Sequence, residues 1–188
     1  MIIKNNDLII ICNEEIDNEI FDLFSKKVIN EFTNVRSWFN IEHNHLTLTL
    51  VSKREIDLIA KEKSMQYKNI DVPSWLVGFS TFEEVWVVIP TKASLDELSK
   101  VALHELVHLL SYRLDTSNKR IKLLQEGIAV FLSNQYEGKI YTPWVRAYLK
   151  NALPKLSYFC TYDGMEFAKK RWLSVLLSYY RIFIKYLW

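Results

Sequence analysis

The sequence predicts an α+β fold, with a small mixed sheet in its N-terminal half and mostly helices in its C-terminal half. Two observations support this prediction: strand and helix patterns are mixed before residue 94, and helical patterns dominate after it. The chain has 188 residues, of which 49% are apolar and 24% charged, the composition of an ordinary globular protein. We therefore expect one compact domain over residues 1–188, with an α/β part to about residue 115 and a helical part from about residue 116.

Hydrophobic periodicity predicts the first elements. Residues 8–12 are a short apolar run that predicts a strand. From residue 14 to about residue 39, apolar residues recur at helical spacing, and acidic residues precede lysines, as the helix dipole favours. Residues 46–50 alternate strictly between leucine and threonine, which predicts a strand with one buried face.

Capping patterns place the helices that follow. Ser52 and Glu55 form a capping-box pattern that predicts a helix to about residue 65. Ser94 and Glu97 form a second one, which opens a long helix to about residue 114. The remaining predicted elements are adjacent strands over 75–79 and 85–89, and helices over 121–135, over 142–152 and in the tail after Gly164.

Composition argues against nucleotide and nucleic-acid binding. Only 4 of the 188 residues are glycine, and neither of the glycine-rich phosphate-binding motifs occurs. The net charge is +2, and both signs are interleaved along the chain instead of forming a basic patch. We therefore expect no nucleic-acid partner.

The sequence also predicts a cytoplasmic protein that does not span a membrane. The N-terminus has no cationic stretch followed by an apolar segment, so no signal peptide is expected. The apolar tail over residues 172–188 contains Arg181 and Lys185 and is shorter than the roughly 20 residues that a span needs. Cys12 and Cys160 match no CxxC spacing and are expected to be buried thiols in a reducing compartment.

The motif that carries chemistry is HExxH, formed by His104, Glu105 and His108 inside the long predicted helix. Residues at i and i+4 share one helix face, with Cβ atoms about 5–6 Å apart, so both imidazoles can bind one zinc ion. Glu105 follows His104 directly and can border the metal without binding it, where it can act as the general base toward water. The alternative is a pair of core histidines, which is disfavoured because buried polar groups need partners.

A third metal ligand is expected, because catalytic zinc usually has three protein ligands and one open position. Glu126 lies 18 residues after His108, beside the apolar face of the next predicted helix. Gly127 and Ala129 are small enough to let two helices approach closely. We expect His104, His108 and Glu126 to bind one zinc ion per chain, and the alternative for Glu126 is an exposed helical glutamate.

At these residues the sequence resembles the gluzincin zinc metallopeptidases, in which HExxH is followed by a glutamate ligand in an E-G-x-A-x-[FY] helix. Residues 126–131 read EGIAVF and match that form. The closest resemblance is to small bacterial peptidase MA-like proteins and minigluzincins, and it covers residues 74–135, about a third of the chain. It implies a zincin-like fold with a long active-site helix, and hydrolysis of peptide bonds.

The resemblance also implies a mode of substrate binding. Residues 75–79 resemble the edge strand with which such enzymes pair an extended substrate, and residues 85–89 resemble the strand before the active-site helix. A peptide or protein substrate would add as a further strand, with its register fixed by backbone hydrogen bonds. The residues expected to bind it are Leu76, Val77, Gly78, Phe79 and Ser80.

Two departures from the family concern supporting residues. Many gluzincins have a carboxylate one turn after the glutamate ligand, which orients a zinc histidine, and here that position is Val130. The family also tends to have, in its C-terminal part, a tyrosine or histidine that stabilises the oxyanion. In this chain we expect that C-terminal part to be smaller than in the family. The candidates are Tyr158, Tyr162, Tyr179 and Tyr180.

Two weaker features and two hypotheses remain. His43 and His45 could bind a second metal, but a solvated strand end is the favoured interpretation. The aromatic tail could dock a partner or a membrane surface, but a position in the core is the favoured interpretation. The first functional hypothesis is a zinc-dependent peptidase. The second is a zinc-binding structural or regulatory module with little turnover, which Val130 and the reduced C-terminal part favour.

Overall fold

The computed structural model describes residues 1–39, 45–64, 67–69, 71–89, 94–114 and 122–135. The chain divides into two compact units, Met1–Leu114 and Asp115–Trp188. The described part of the first unit contains a five-stranded sheet and three helices, and that of the second contains one helix. The predicted α+β class is therefore confirmed.

The sheet of the first unit is mixed, as predicted. Its strands are β1 (Ile2–Lys4), β2 (Leu8–Cys12), β3 (Leu46–Val51), β4 (Gly78–Ser80) and β5 (Glu84–Val88). Their order across the sheet is β1-β2-β3-β5-β4. The three central strands run parallel, and each outer strand pairs antiparallel with its neighbour. This order places β4 at an edge of the sheet.

The helices of the first unit pack on both faces of this sheet. They are α1 (Asn18–Ser37), α2 (Lys53–Lys63) and α3 (Leu95–Leu114). Helices α1 and α3 pack against each other and against the strands. On the opposite face, α2 contributes Ile56 to a buried cluster with Trp86 and Val88. The side chains of the central strands that are fully buried include Leu8, Ile10, Leu46, Leu48 and Leu50.

Helix α1 begins later than the predicted residue 14. Its first residue is Asn18, because the carboxylate of Asp17 accepts hydrogen bonds from the backbone N–H groups of Glu19 and Ile20, at 2.7 and 3.3 Å. An aspartate at the N-cap satisfies N–H groups that have no partner within the helix. The apolar spacing therefore predicted the helix, and the cap sets where it begins.

The capping box predicted at Ser52 is confirmed. Its hydroxyl accepts a hydrogen bond from the backbone N–H of Glu55, and the Glu55 carboxylate accepts one from the backbone N–H of Ser52. The second predicted box is also confirmed, between Ser94 and Glu97 at the start of α3. Both helices therefore begin where the sequence predicted.

We expect Ser52→Ala to lower the free energy of unfolding by about 1 kcal/mol, within the range of about 0.5–2 kcal/mol found for the loss of an N-cap. The reason is that the N–H group of Glu55 loses its acceptor. Urea denaturation followed by circular dichroism measures the change. Ser37→Ala, at the last residue of α1, is the control and should change the value by no more than about 0.5 kcal/mol. Equal losses in the two variants would contradict the assignment of a cap at Ser52.

The strand predicted over residues 75–79 was wrong in its bounds, since β4 begins only at Gly78. The preceding residues form a turn, in which the backbone N–H of Leu76 donates to the carbonyl of Pro73 at 3.0 Å. The ammonium group of Lys53 donates to the carbonyls of both Pro73 and Leu76. The side chain of Leu76 is buried in a cluster with Tyr67. Leu76 therefore packs in the core, and the edge strand begins two residues further along the chain.

Helix α4 (Lys122–Leu132) of the second unit is shorter than the predicted 121–135. It ends because Asn134 adopts a left-handed backbone conformation with φ 54°, and the N–H of Gln135 donates to the carbonyl of Val130 at 3.1 Å. This is a common way of satisfying the last carbonyls of a helix. The helices predicted over 142–152 and after Gly164 lie outside the described residues.

Burial agrees with the expectation for Cys12. Cys12 is a buried free thiol, and its burial raises its pKa. Cys160 lies outside the described residues. Of the helices in the described part of the chain, none combines the length and the apolar character needed to cross a membrane.

Candidate metal centre

Helix α3 brings the two motif histidines together on one face. The Nε2 atoms of His104 and His108 lie 3.0 Å apart, and the two rings meet edge to face with their centroids separated by 4.6 Å. His108 is buried and His104 is half-buried, because the rest of this helix packs in the apolar core. Two side chains one helical turn apart therefore present ring nitrogens to the same point.

The separation of these nitrogens fits a shared metal ion. Two imidazoles that bind one tetrahedral zinc ion at about 2.0–2.1 Å have their nitrogens about 3.3–3.4 Å apart. The observed 3.0 Å is close to that value. The same distance also suits a hydrogen bond between two neutral rings, in which one nitrogen donates to the other. The geometry is thus compatible with a zinc site.

Glu105 points toward the edge strand β4. The hydroxyl of Ser80 donates a hydrogen bond to Oε2 of Glu105 at 2.9 Å. A Cβ atom added at Gly78 would lie only 2.6–2.9 Å from Cγ, Oε1 and Cδ of Glu105. In this position the carboxylate occupies space that a side chain at residue 78 would otherwise need.

The backbone N–H and C=O groups of β4 point alternately toward the neighbouring strand β5 and toward the outer edge of the sheet. The carbonyl of Val77 accepts a hydrogen bond from the N–H of Val88, and the N–H of Thr81 donates to the carbonyl of Glu84, both at 2.9 Å. Bonds in an antiparallel pair alternate along the strand, so the residues between them direct their backbone groups away from the partner. Gly78 and Ser80 are those outward residues, and among the strands that the structure describes none pairs with β4 on that side.

Tyr112 extends the histidine face by one more helical turn. Its ring is stacked on that of His108, with centroids 6.1 Å apart and an interplanar angle of 14°. It also contacts the ring of Phe82, in the turn that follows β4. The carbonyl of Phe82 in turn accepts a hydrogen bond from Nε of Arg113 at 2.9 Å. Sequence reasoning missed Tyr112, although its i+4 spacing from His108 was the available signal.

Glu126 lies on α4 and is half-buried, next to the buried Gly127. His104 and His108 offer two imidazole nitrogens from α3, and Glu126 offers a carboxylate oxygen from α4. Two nitrogens and one carboxylate oxygen form a donor set that zinc accepts. The donor chemistry therefore fits the metal expected from the sequence.

The other predicted residues divide into three groups. Leu76 and Val77 precede β4, while Gly78, Phe79 and Ser80 form it. His45 is exposed and directly precedes β3. The residues that lie outside the described part of the chain are His43, Tyr158, Tyr162, Tyr179 and Tyr180.

Comparison with known proteins adds no family to these observations. No protein-family model matches the chain, and no curated protein is significantly similar to it. The resemblance to gluzincins therefore rests on the motif residues and their spacing, and its functional implications are proposals.

Proposed function

We propose that the protein is a zinc-dependent peptidase of the gluzincin type, in which His104, His108 and Glu126 bind one zinc ion. The observation that carries the proposal is that one helix of the first unit supplies both parts of the site. Helix α3 brings two imidazole nitrogens to 3.0 Å from each other, and the carboxylate of Glu105, between them in the motif, is hydrogen-bonded to Ser80 of the edge strand β4. When bound, zinc would lower the pKa of a coordinated water to near 7 and polarise the scissile carbonyl.

Glu105 acts as the general base in this proposal. Its carboxylate accepts a proton from the water as the water oxygen attacks the peptide carbonyl carbon, and it then delivers that proton to the departing amine nitrogen. The C–N bond breaks as the new C–O bond is retained, so a carboxylic acid and an amine result. The half-buried position of Glu105 beside β4 supports this role, because a base must lie within hydrogen-bond reach of the reacting groups.

The substrate is an extended peptide or protein segment that adds to the outer edge of β4. The N–H and C=O groups of Gly78 and Ser80 are directed to that edge and set the register of the bound peptide. The backbone N–H and C=O groups of Val77 and Phe79 point toward β5, and the side chain of Leu76 is buried in the core. Their contribution is to support the strand, while residues 78 and 80 make the main-chain contacts.

The test begins with metal content and continues with cleavage. Protein purified without chelators should contain close to one zinc ion per chain, and it should cleave a denatured protein or a peptide library. Removal of zinc should abolish cleavage and its return should restore it. Absence of zinc even after supplementation would remove the proposal.

A second candidate function is a zinc-binding module with little turnover. The observation that favours it is Val130, which is buried and apolar at the position where many gluzincins have a supporting carboxylate. Stoichiometric zinc without cleavage of any library would support the module and contradict the peptidase.

We expect the zinc affinity to fall as the pH decreases, with release through about pH 5–6. Imidazole binds zinc only in its neutral form, so protons compete with the metal below the usual histidine pKa of about 6.5. Titration with a zinc-selective dye between pH 5 and 8 measures the change. An affinity that is independent of pH over this interval would exclude ligation by histidine.

A further inference from the structure

We infer that Ser80 is a positioning residue for Glu105, holding the base at a fixed place relative to the bound peptide; this inference rests on the proposed function. Ser80 and Glu105 are 25 residues apart in sequence, and the hydroxyl of one donates to Oε2 of the other at 2.9 Å. Both side chains are half-buried, where a hydrogen bond to a carboxylate is screened less than at the surface.

Gly78 leaves space for the second oxygen of the Glu105 carboxylate, Oε1. Residues 78 and 80 are two apart on β4, so their Cα atoms direct substituents to the same face of the sheet. The position that a Cβ of residue 78 would take lies 2.7 Å from Oε1 of Glu105. Oε2 is thus held by the hydroxyl, and Oε1 occupies the space that glycine leaves. The two contacts together restrict rotation of the carboxylate.

Ser80 also presents its own backbone at the edge where the peptide is proposed to bind. The same residue would therefore hydrogen-bond the substrate with its main chain and the base with its side chain. One residue, Ser80, then fixes the distance between the bound peptide and the carboxylate of Glu105. Loss of the hydroxyl should leave peptide binding intact and misplace the base, which lowers kcat without raising KM.

The experiment compares Ser80→Ala, Ser80→Thr and the control Ser111→Ala in the zinc-loaded full chain. Ser111 is a half-buried serine of α3 whose hydroxyl donates to the carbonyl of Val107 and not to Glu105. A hydrogen bond to a charged group is worth about 1.5–3 kcal/mol, so kcat of Ser80→Ala should fall by about tenfold to a hundredfold. KM should stay unchanged, and Ser80→Thr, which retains a hydroxyl, should recover most of the loss.

Equal kcat values for wild type and Ser80→Ala would overturn the inference, as would an equal loss in Ser111→Ala. A loss that threonine does not recover would also overturn it, because the hydroxyl would then not be the cause.

Crystal structures of the same variants provide a readout that does not depend on activity. In zinc-loaded Ser80→Ala we expect the carboxylate of Glu105 to leave its place beside Gly78, and in Ser80→Thr to return to it. If the wild type binds zinc and cleaves nothing, the proposed function fails, and the position of this carboxylate still decides the role of Ser80. An unmoved carboxylate in Ser80→Ala would overturn that role.

Discussion

Replacing Glu105 by glutamine is expected to lower the rate of peptide cleavage by about a hundredfold to ten-thousandfold, which is the loss typical of removing a general base. The zinc content should stay unchanged. Glutamine has nearly the same shape and retains an oxygen that can accept the hydrogen bond from Ser80. It cannot take up the proton of the attacking water, because its amide is not basic. Steady-state kinetics and metal analysis of the same sample measure both quantities.

The matched control is Glu97→Gln, the same substitution in the same helix. Glu97 caps the start of α3, and glutamine also serves in a capping box, so rate and zinc content should both be retained. Full activity in Glu105→Gln would exclude Glu105 as the base. Loss of zinc together with activity would show that Glu105 supports the metal instead.

The second large effect is expected at Glu126. If its carboxylate is the third ligand, Glu126→Ala should lower zinc affinity by at least about tenfold, since changes beside a metal site already cost about 10–100-fold. Glu126→Asp should be only partly tolerated, because its side chain is one methylene shorter and ligand distances are held within about 0.2 Å. Competition with a chelator of known affinity measures the series.

Gln125→Ala is the control for this series, since Gln125 is a half-buried polar neighbour on α4 and should leave zinc affinity unchanged. Circular dichroism should show the helix intact in all variants. Equal zinc affinity in wild type and Glu126→Ala would remove the gluzincin assignment. The third ligand would then be sought among Asp115, His43 and His45.

Local signals allowed the helices to be predicted better than the edges of the sheet. A capping box is formed within four residues, and those at Ser52 and Ser94 were predicted correctly. The first strand, β1, has only three residues and is stabilised by its pairing with β2, in which Ile2 lies opposite Ile11. Three residues are too few for a periodic pattern to predict a strand. The start of β4 depends on the turn after Pro73, which Lys53 holds from another helix. Such contacts between distant segments have no pattern in a single sequence.

The same division applies to the candidate site. The approach of His104 to His108 follows from helix geometry alone, so the motif was sufficient to predict it. The contact of Glu105 with Ser80 joins a helix to an edge strand and requires their packing to be known. Gly78 was expected only to line the substrate, and the close approach of Glu105 gives it a reason to be glycine.

The shortness of β4 has a consequence for self-association. An exposed strand edge can nucleate sheets between molecules, and short edge strands reduce that hazard. Only Gly78 and Ser80 direct backbone groups outward, which limits a docked chain to about four hydrogen bonds worth about 0.5–1.5 kcal/mol each. That total is comparable to, or smaller than, the about 4–15 kcal/mol that association costs in lost freedom of motion. Backbone pairing along this edge is therefore too weak by itself to hold two copies of the chain in an intermolecular sheet.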